Sequence, residues 1–131
     1  MESSPRHQAR ERALSLLYEG ELKGEPPSAV VDALAVAPDP YTVTLLTAVE
    51  ARGPEIDRLI DDAAIGWDLE RMAVVDRNVL RLAVAELLTE PELPVAVILN
   101  EAVELATGYS TDESGRFVNG VLATLATGIR G

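Results

Sequence analysis

The stretch from Ala73 to Leu88 is apolar at nearly every position, interrupted only by Asp76, Arg77, Asn78, Arg81 and Glu86. It holds no glycine or proline, so a helix is its natural local state. A helix that is apolar on most sides must be surrounded by other elements. The stretch therefore predicts an all-α protein, a compact bundle of about seven helices, with this one at the centre.

Proline and glycine divide the rest of the chain into the surrounding helices. Ser4-Pro5 reads as a cap followed by a proline at the first helical position, where a missing N–H costs nothing. Ala9, Ala13, Leu16 and Leu17 then recur at helical spacing until Gly20 and Gly24 weaken the pattern. Arg6, Arg10, Leu14 and Tyr18 line up every four residues along the edge of that apolar face. After Pro26-Pro27 a short helix is predicted from Ala29 to Ala37. Asp39-Pro40 caps a third, which buries Leu45, Leu46 and Val49 and stops at Gly53. Pro54 opens a fourth, with Ile56, Leu59, Ile60, Ala63 and Ala64 inward and Asp57, Arg58, Asp61 and Asp62 toward water, ending at Gly66. Asp68 caps the turn before the central helix. Beyond Pro91 and Pro94, one helix buries Ile98, Ala102, Leu105 and Ala106. A last one buries Phe117, Val118, Val121, Leu122 and Leu125, with Ser110 or Ser114 as its cap; Ser110 and Glu113 have capping-box spacing. Strand alternation and internal repeats are missing from the pattern, and 131 residues fit a single helical domain over 1–131.

Composition narrows the function. Apolar residues are 47% of the chain, but there are only one phenylalanine, one tryptophan and three tyrosines, so aliphatic side chains must build the core. Without cysteine, neither a disulfide framework nor a thiolate metal site is possible. The N-terminus lacks an apolar leader and no run approaches the ~18 apolar residues of a membrane span; the expectation is a cytoplasmic protein. The net charge of −11 argues against unaided grip on nucleic acid, because phosphate affinity comes mainly from Lys and Arg. Residues 1–24 hold four basic and four acidic side chains, against seven and eighteen in the remainder.

Catalytic chemistry finds little to use. His7 is the single histidine, and no nucleophile elbow, phosphate-binding loop or paired-histidine metal motif occurs. Asp61-Asp62 and Asp112-Glu113 are adjacent pairs whose side chains diverge along a helix; a wetted face and acids suited to the helix N-terminus explain them. The chain is expected to be no enzyme and to carry no cofactor and no metal. Recognition remains. Arg6, His7, Arg10 and Arg12 project from one terminal helix, either as a phosphate-contacting edge or as solubilising charge. Tyr18 stands at the end of that line, as a stacking residue or a half-buried core edge. Asn119-Gly120 sits mid-helix, where both residues are poor helix formers, which leaves two readings: close packing at Gly120, or a polar group in use at Asn119.

Three segments resemble the NusB family of bacterial transcription antitermination factors: Ala9-Arg10-Glu11-Arg12-Ala13-Leu14-Ser15-Leu16-Leu17-Tyr18; Asp76-Arg77-Asn78-Val79-Leu80-Arg81-Leu82-Ala83-Val84-Ala85-Glu86-Leu87; and Leu99-Asn100-Glu101-Ala102-Val103-Glu104-Leu105-Ala106 followed by Phe117-Val118-Asn119-Gly120-Val121-Leu122. The last is the most specific, and the resemblance runs from about Arg6 to Leu125. It implies two helical subdomains and a protein partner, the small-subunit ribosomal protein also called NusE. With that partner it implies binding to boxA RNA and an RNA polymerase antitermination complex on rRNA operons. By matching position, Arg6, His7, Arg10, Tyr18, Arg116, Phe117 and Asn119 are implied to lie on or near the RNA surface, and Tyr18, Glu70 and Asp76 to border the protein partner. The chain departs from the family pattern at Gln8, which interrupts an arginine run, at Ala85, where tyrosine is common, and at Arg116, where lysine is usual. Two other readings stay open: a helical interaction module without RNA binding, and a stand-alone relative of the helical domain of rRNA cytosine methyltransferases. A homodimer formed through an apolar helical surface is a further arrangement the sequence allows.

Overall fold

A computed structural model describes residues 4–131. Met1, Glu2 and Ser3, part of the stretch read above for a leader, lie outside the described residues. The order is α1 (Pro5–Lys23), α2 (Pro27–Asp32), α3 (Pro40–Ala51), α4 (Gly53–Ala63), a 3-10 turn at Leu69–Arg71, α5 (Val74–Thr89), α6 (Val95–Tyr109) and α7 (Asp112–Arg130). No strand occurs among the described residues, and no helix there is long and apolar enough to cross a membrane.

Helix α5 is the hub the sequence predicts. It packs against α1, α3, α4, α6 and α7. On one side α1, α2 and α3 pack on one another; on the other α6 lies along α7, which also meets α4, giving two helical subdomains that share α5. The core is aliphatic and continuous through both: Leu16, Leu45, Leu46, Ile56, Ile60, Leu80, Ile98 and Leu122 are almost wholly buried. Each such side chain contributes about 1.5–3 kcal/mol over its exposed state.

The polar residues of α5 are where it ties down its neighbours. Arg77 donates to both Glu21 carboxylate oxygens of α1 (3.0 and 2.6 Å), and Arg81 bridges Glu21 and Asp57 of α4 (3.0 and 2.9 Å). Burial alone would raise the Glu21 pKa, but Arg77 and Arg81 hold it below the usual carboxylate range. At the other end, Arg130 of α7 reaches back to the carbonyls of Glu86, Leu87, Glu90 and Leu93, closing the C-terminal turn of α5. A cation placed there meets the negative end of the helix dipole.

Local signals account for most helix ends. Ser4 Oγ accepts from His7 N (3.0 Å), and Asp39 Oδ1 accepts from Tyr41 N (2.7 Å). Helix α1 continues through Gly20 and ends at Gly24 in the left-handed region (φ 67°), with Glu25 N bonded to the Gly20 carbonyl and Gly24 N to that of Glu21. This is the Schellman arrangement.

Four expectations need correction. Helix α2 stops at Asp32 and does not reach Ala37: Val36 is 80% exposed, with nothing to pack against, and Ala37 precedes Pro38, which disfavours helical geometry there. Helix α4 ends at Ala63, short of Gly66. The cap of α7 is Thr111, whose Oγ1 accepts from Ser114 N (3.1 Å); Ser110 instead ends α6, and Ser114 lies inside the first turn. Asp68 makes no capping bond, and Asp61 Oδ1 takes the Leu69 N–H instead (2.9 Å).

Candidate RNA and partner interface

The N-terminal half of α1 brings Arg6, His7 and Arg10 together, but in unequal roles. Arg10 is only 3% exposed. Its Nε and Nη2 grip Glu86 of α5 (2.9 and 2.8 Å) and its Nη1 donates to Glu101 of α6 (3.0 Å). Tyr41 of α3 donates its hydroxyl to the same Glu86, while Arg6 lies over the Tyr41 ring at 3.8 Å. Burial and the Glu86 carboxylate both keep the Tyr41 hydroxyl protonated far above its ordinary range. His7 is 8% exposed, with Nδ1 2.6 Å from Glu101 Oε2. That hydrogen bond, working against burial and assisted by the charges of Glu101, Glu104 and Glu11, raises the His7 pKa above its usual value. One ion-pair network thus fastens α1 to α3, α5 and α6. Of the α1 cations, Arg6, Arg12 and Lys23 are exposed; Lys23 pairs with Glu19, and Arg12 forms no ion pair among the described residues.

Helix α6 carries the network on one edge and a groove on the other. Asn100, Val103 and Thr107 of α6 face Asp112, Gly115, Arg116 and Asn119 of α7 across an open cleft of about 470 Å³. The helices come closest at Gly115, where a Cβ would stand 2.3 Å from Thr107 Oγ1; around Gly120 the space is open. Close packing therefore belongs to Gly115. Of the two readings of Asn119-Gly120, packing at Gly120 is removed, and Asn119 is an exposed amide beside the exposed Arg116.

Phe117 turns the other way. It meets Trp67 edge to face, with ring centroids 6.1 Å apart. Together with Met72, Ala73, Asp76, Thr111, Glu113 and Ser114 they line a second cleft of about 250 Å³. Asp76 Oδ1 is buried there without a hydrogen-bond partner among the described residues. Such an acceptor costs on the order of 1–3 kcal/mol until something donates to it.

The NusB family model matches residues 7–127. The chain belongs to the NusB family. Transcription antitermination protein NusB of Acidothermus cellulolyticus is 50% identical over 124 residues, covering 92% of this chain and 86% of that protein. The protein of the same name from Thermobifida fusca is 46% identical over 124 residues, with coverages of 92% and 87%. Among solved structures, T. maritima NusB superposes with a TM-score of 0.85 at 34% identity, covering 96% of this chain and 93% of that one. A structure of antitermination factors NusB and NusE in complex with dsRNA superposes at 0.79 and 29% identity, covering 95% and 99%.

Set on this NusB fold, the residues singled out in the sequence fall into three groups. Arg6, His7 and Arg10 gather at the α1 network; Arg116 and Asn119 share the α6–α7 groove; Phe117 and Asp76 share the second cleft. Tyr18 stands apart from all three, 45% exposed on α1. Glu70 is exposed beside Glu21, Arg77 and Arg81, bordering a cleft with them. The sequence reading missed Asn100 and Trp67 as lining residues. Asn100 had a signal, a polar residue between Leu99 and Glu101 on a helix whose buried face was already assigned. Trp67 had none, since a lone tryptophan after Gly66 does not declare its neighbour.

Proposed function

We propose that this chain is a transcription antitermination subunit that works in the cytoplasm as one NusB-like domain over residues 1–131. It binds boxA-type RNA together with the basic ribosomal protein NusE, supports rRNA transcription within an RNA polymerase antitermination complex, and acts by binding alone. The observation that carries the reading is the first turns of α7. There Arg116 and Asn119 open onto one cleft and Phe117 and Asp76 onto another, so residues assigned to RNA and to the partner protein flank a single helix end. Arg6, Arg116, Phe117, Asn119 and Tyr18 are the side chains with exposed surface for RNA; Tyr18, Glu70 and Asp76 border the partner. Arg10 and His7 serve the RNA face from beneath, by holding α1 against α6.

Charge explains why a partner is needed. With a net −11, and with Arg10 neutralised by Glu86 and Glu101, few cations remain for phosphates. A basic protein docked on the acidic face supplies the rest and is itself attracted to it. Titrating labelled boxA RNA with the chain, with NusE and with the mixture tests this: the chain alone binds weakly, and the mixture binds tightly with a steep salt dependence. RNA affinity unchanged by the partner overturns the proposal, and favours a helical interaction module that has lost RNA binding.

A further inference from the structure

His7 is held in an arrangement that its hydrogen bonds do not complete. Its Nδ1 faces Glu101 Oε2 at 2.6 Å, which in the neutral ring places the proton on Nδ1 and the lone pair on Nε2. Nε2 then points at two more carboxylate oxygens, Glu104 Oε1 at 3.8 Å and Glu11 Oε1 at 3.9 Å. A lone pair facing two anions is repelled unless a positive centre, a bound proton or a metal cation, sits between them. The wider charge balance has the same sign. Glu86, Glu101, Glu104 and Glu11 converge on this end of α1, while among the described residues Arg10 is the one guanidinium hydrogen-bonded to them and Arg6 is turned onto the Tyr41 ring.

We propose that His7, Glu104 and Glu11, with Glu101 orienting the imidazole, form a binding site for a divalent transition-metal cation of the zinc class. One coordinating atom each from His7, Glu101 and Glu104 already lies within 4.8 Å of the other two. Around a tetrahedral ion with bonds of about 2.0–2.2 Å, neighbouring ligand atoms stand roughly 3.4 Å apart. Nε2, at 3.8 Å from Glu104 and 3.9 Å from Glu11, is within about half an ångström of that spacing from each, and the two carboxylates must swing toward one another to complete the set. Both carboxylates can move: the Glu104 side chain is 69% exposed and that of Glu11 about one third. Nδ1–H donated to a carboxylate is the outer-shell arrangement that fixes a metal-binding imidazole and raises its basicity. The placement also follows helix-bundle logic, with His7 and Glu11 one turn apart on α1 and Glu101 and Glu104 three apart on the facing helix. An imidazole with carboxylates suits zinc or manganese, and zinc binds the tighter of the two. Three protein ligands leave the fourth position, on the solvent side, open to water or an anionic oxygen.

The test is calorimetric titration of Zn²⁺ into the chelator-treated full chain at pH 7.5, with ¹⁵N spectra of the histidine ring. One zinc binds per chain, the Nε2 resonance moves while the Nδ1 proton stays in place, and binding weakens as pH falls and a proton competes for Nε2. Glu104→Gln, on an exposed side chain that leaves the fold intact, weakens binding at least tenfold, and His7→Gln abolishes it. Unchanged ring resonances at saturating zinc overturn the site, as does equal affinity in wild type and Glu104→Gln; His7 is then an imidazolium bridging three carboxylates and nothing more. RNA affinity measured without zinc is a separate readout, so failure here leaves the RNA assignment standing.

Discussion

Replacing Arg10 by alanine separates a structural arginine from one that touches RNA. The substitution removes the two-pronged contact to Glu86 and the arm to Glu101, and leaves Glu86, whose side chain is 3% exposed, with only the Tyr41 hydroxyl donating to its carboxylate among the described residues. Removing one member of a buried ion pair costs about 3–5 kcal/mol, because the other charge stays buried and uncompensated. An unfolding entropy of about 2.1 cal/mol/K per residue makes each kcal/mol worth roughly 3–4 °C for a chain of this length, so the melting temperature should fall by about 10–18 °C. Thermal melts by circular dichroism at pH 7 measure it. Arg10→Lys keeps the charge without the planar fork and should fall between the two. In the Arg10→Ala background, Glu86→Gln removes the stranded charge and should recover a substantial part of the loss. A melting temperature for Arg10→Ala within about 4 °C of wild type, equivalent to about 1 kcal/mol, would refute the reasoning.

Three further outcomes follow from particular side chains. Gly20→Ala should destabilise by about 1–3 kcal/mol in urea melts although alanine is the better helix former, because its Cβ would meet the Glu25 carbonyl oxygen at 2.8 Å and Val30 Cγ2 at 3.3 Å; Gly120→Ala, in open space, should stabilise slightly. Glu21 has a folded pKa below its unfolded one, so its contribution is present above the unfolded value and lost as pH falls through the folded one; the stability gap between wild type and Glu21→Gln should narrow between neutral pH and pH values below the carboxylate range. Asn119→Ala should weaken RNA binding by the partnered complex by more than ~1 kcal/mol and leave the melting temperature unchanged, since the amide is exposed; lost stability with unchanged affinity would return Asn119 to a packing role.

The fold was largely legible because its signals are local. Ala73 to Leu88 announced its central position through composition alone, and Ser4-Pro5 and Asp39-Pro40 carry their caps within three residues. The failures are local too. Thr111 and Ser110 are equally good caps on paper, and only the way α6 ends decides between them. The candidate site was less legible, for a different reason. Arg10 and His7 look like free cations on a terminal helix; their partners Glu86 and Glu101 lie 76 and 94 or so positions away and look like ordinary helix-surface acids. Nothing in the spacing of a helix states which distant carboxylate will face it. Asp76 and Phe117 are likewise brought to one cleft by packing of α5 against α7, which no sequence motif encodes.

Asn100 and Glu101 are consecutive on α6, yet one lines the groove toward α7 and the other holds His7 and Arg10 of α1. Successive residues on a helix are fixed about 100° apart. A small roll of α6 about its own axis therefore re-aims both at once, and neither helix neighbour can adjust its grip without the other registering it. The α1 network and the α6–α7 groove are geared through a single shaft.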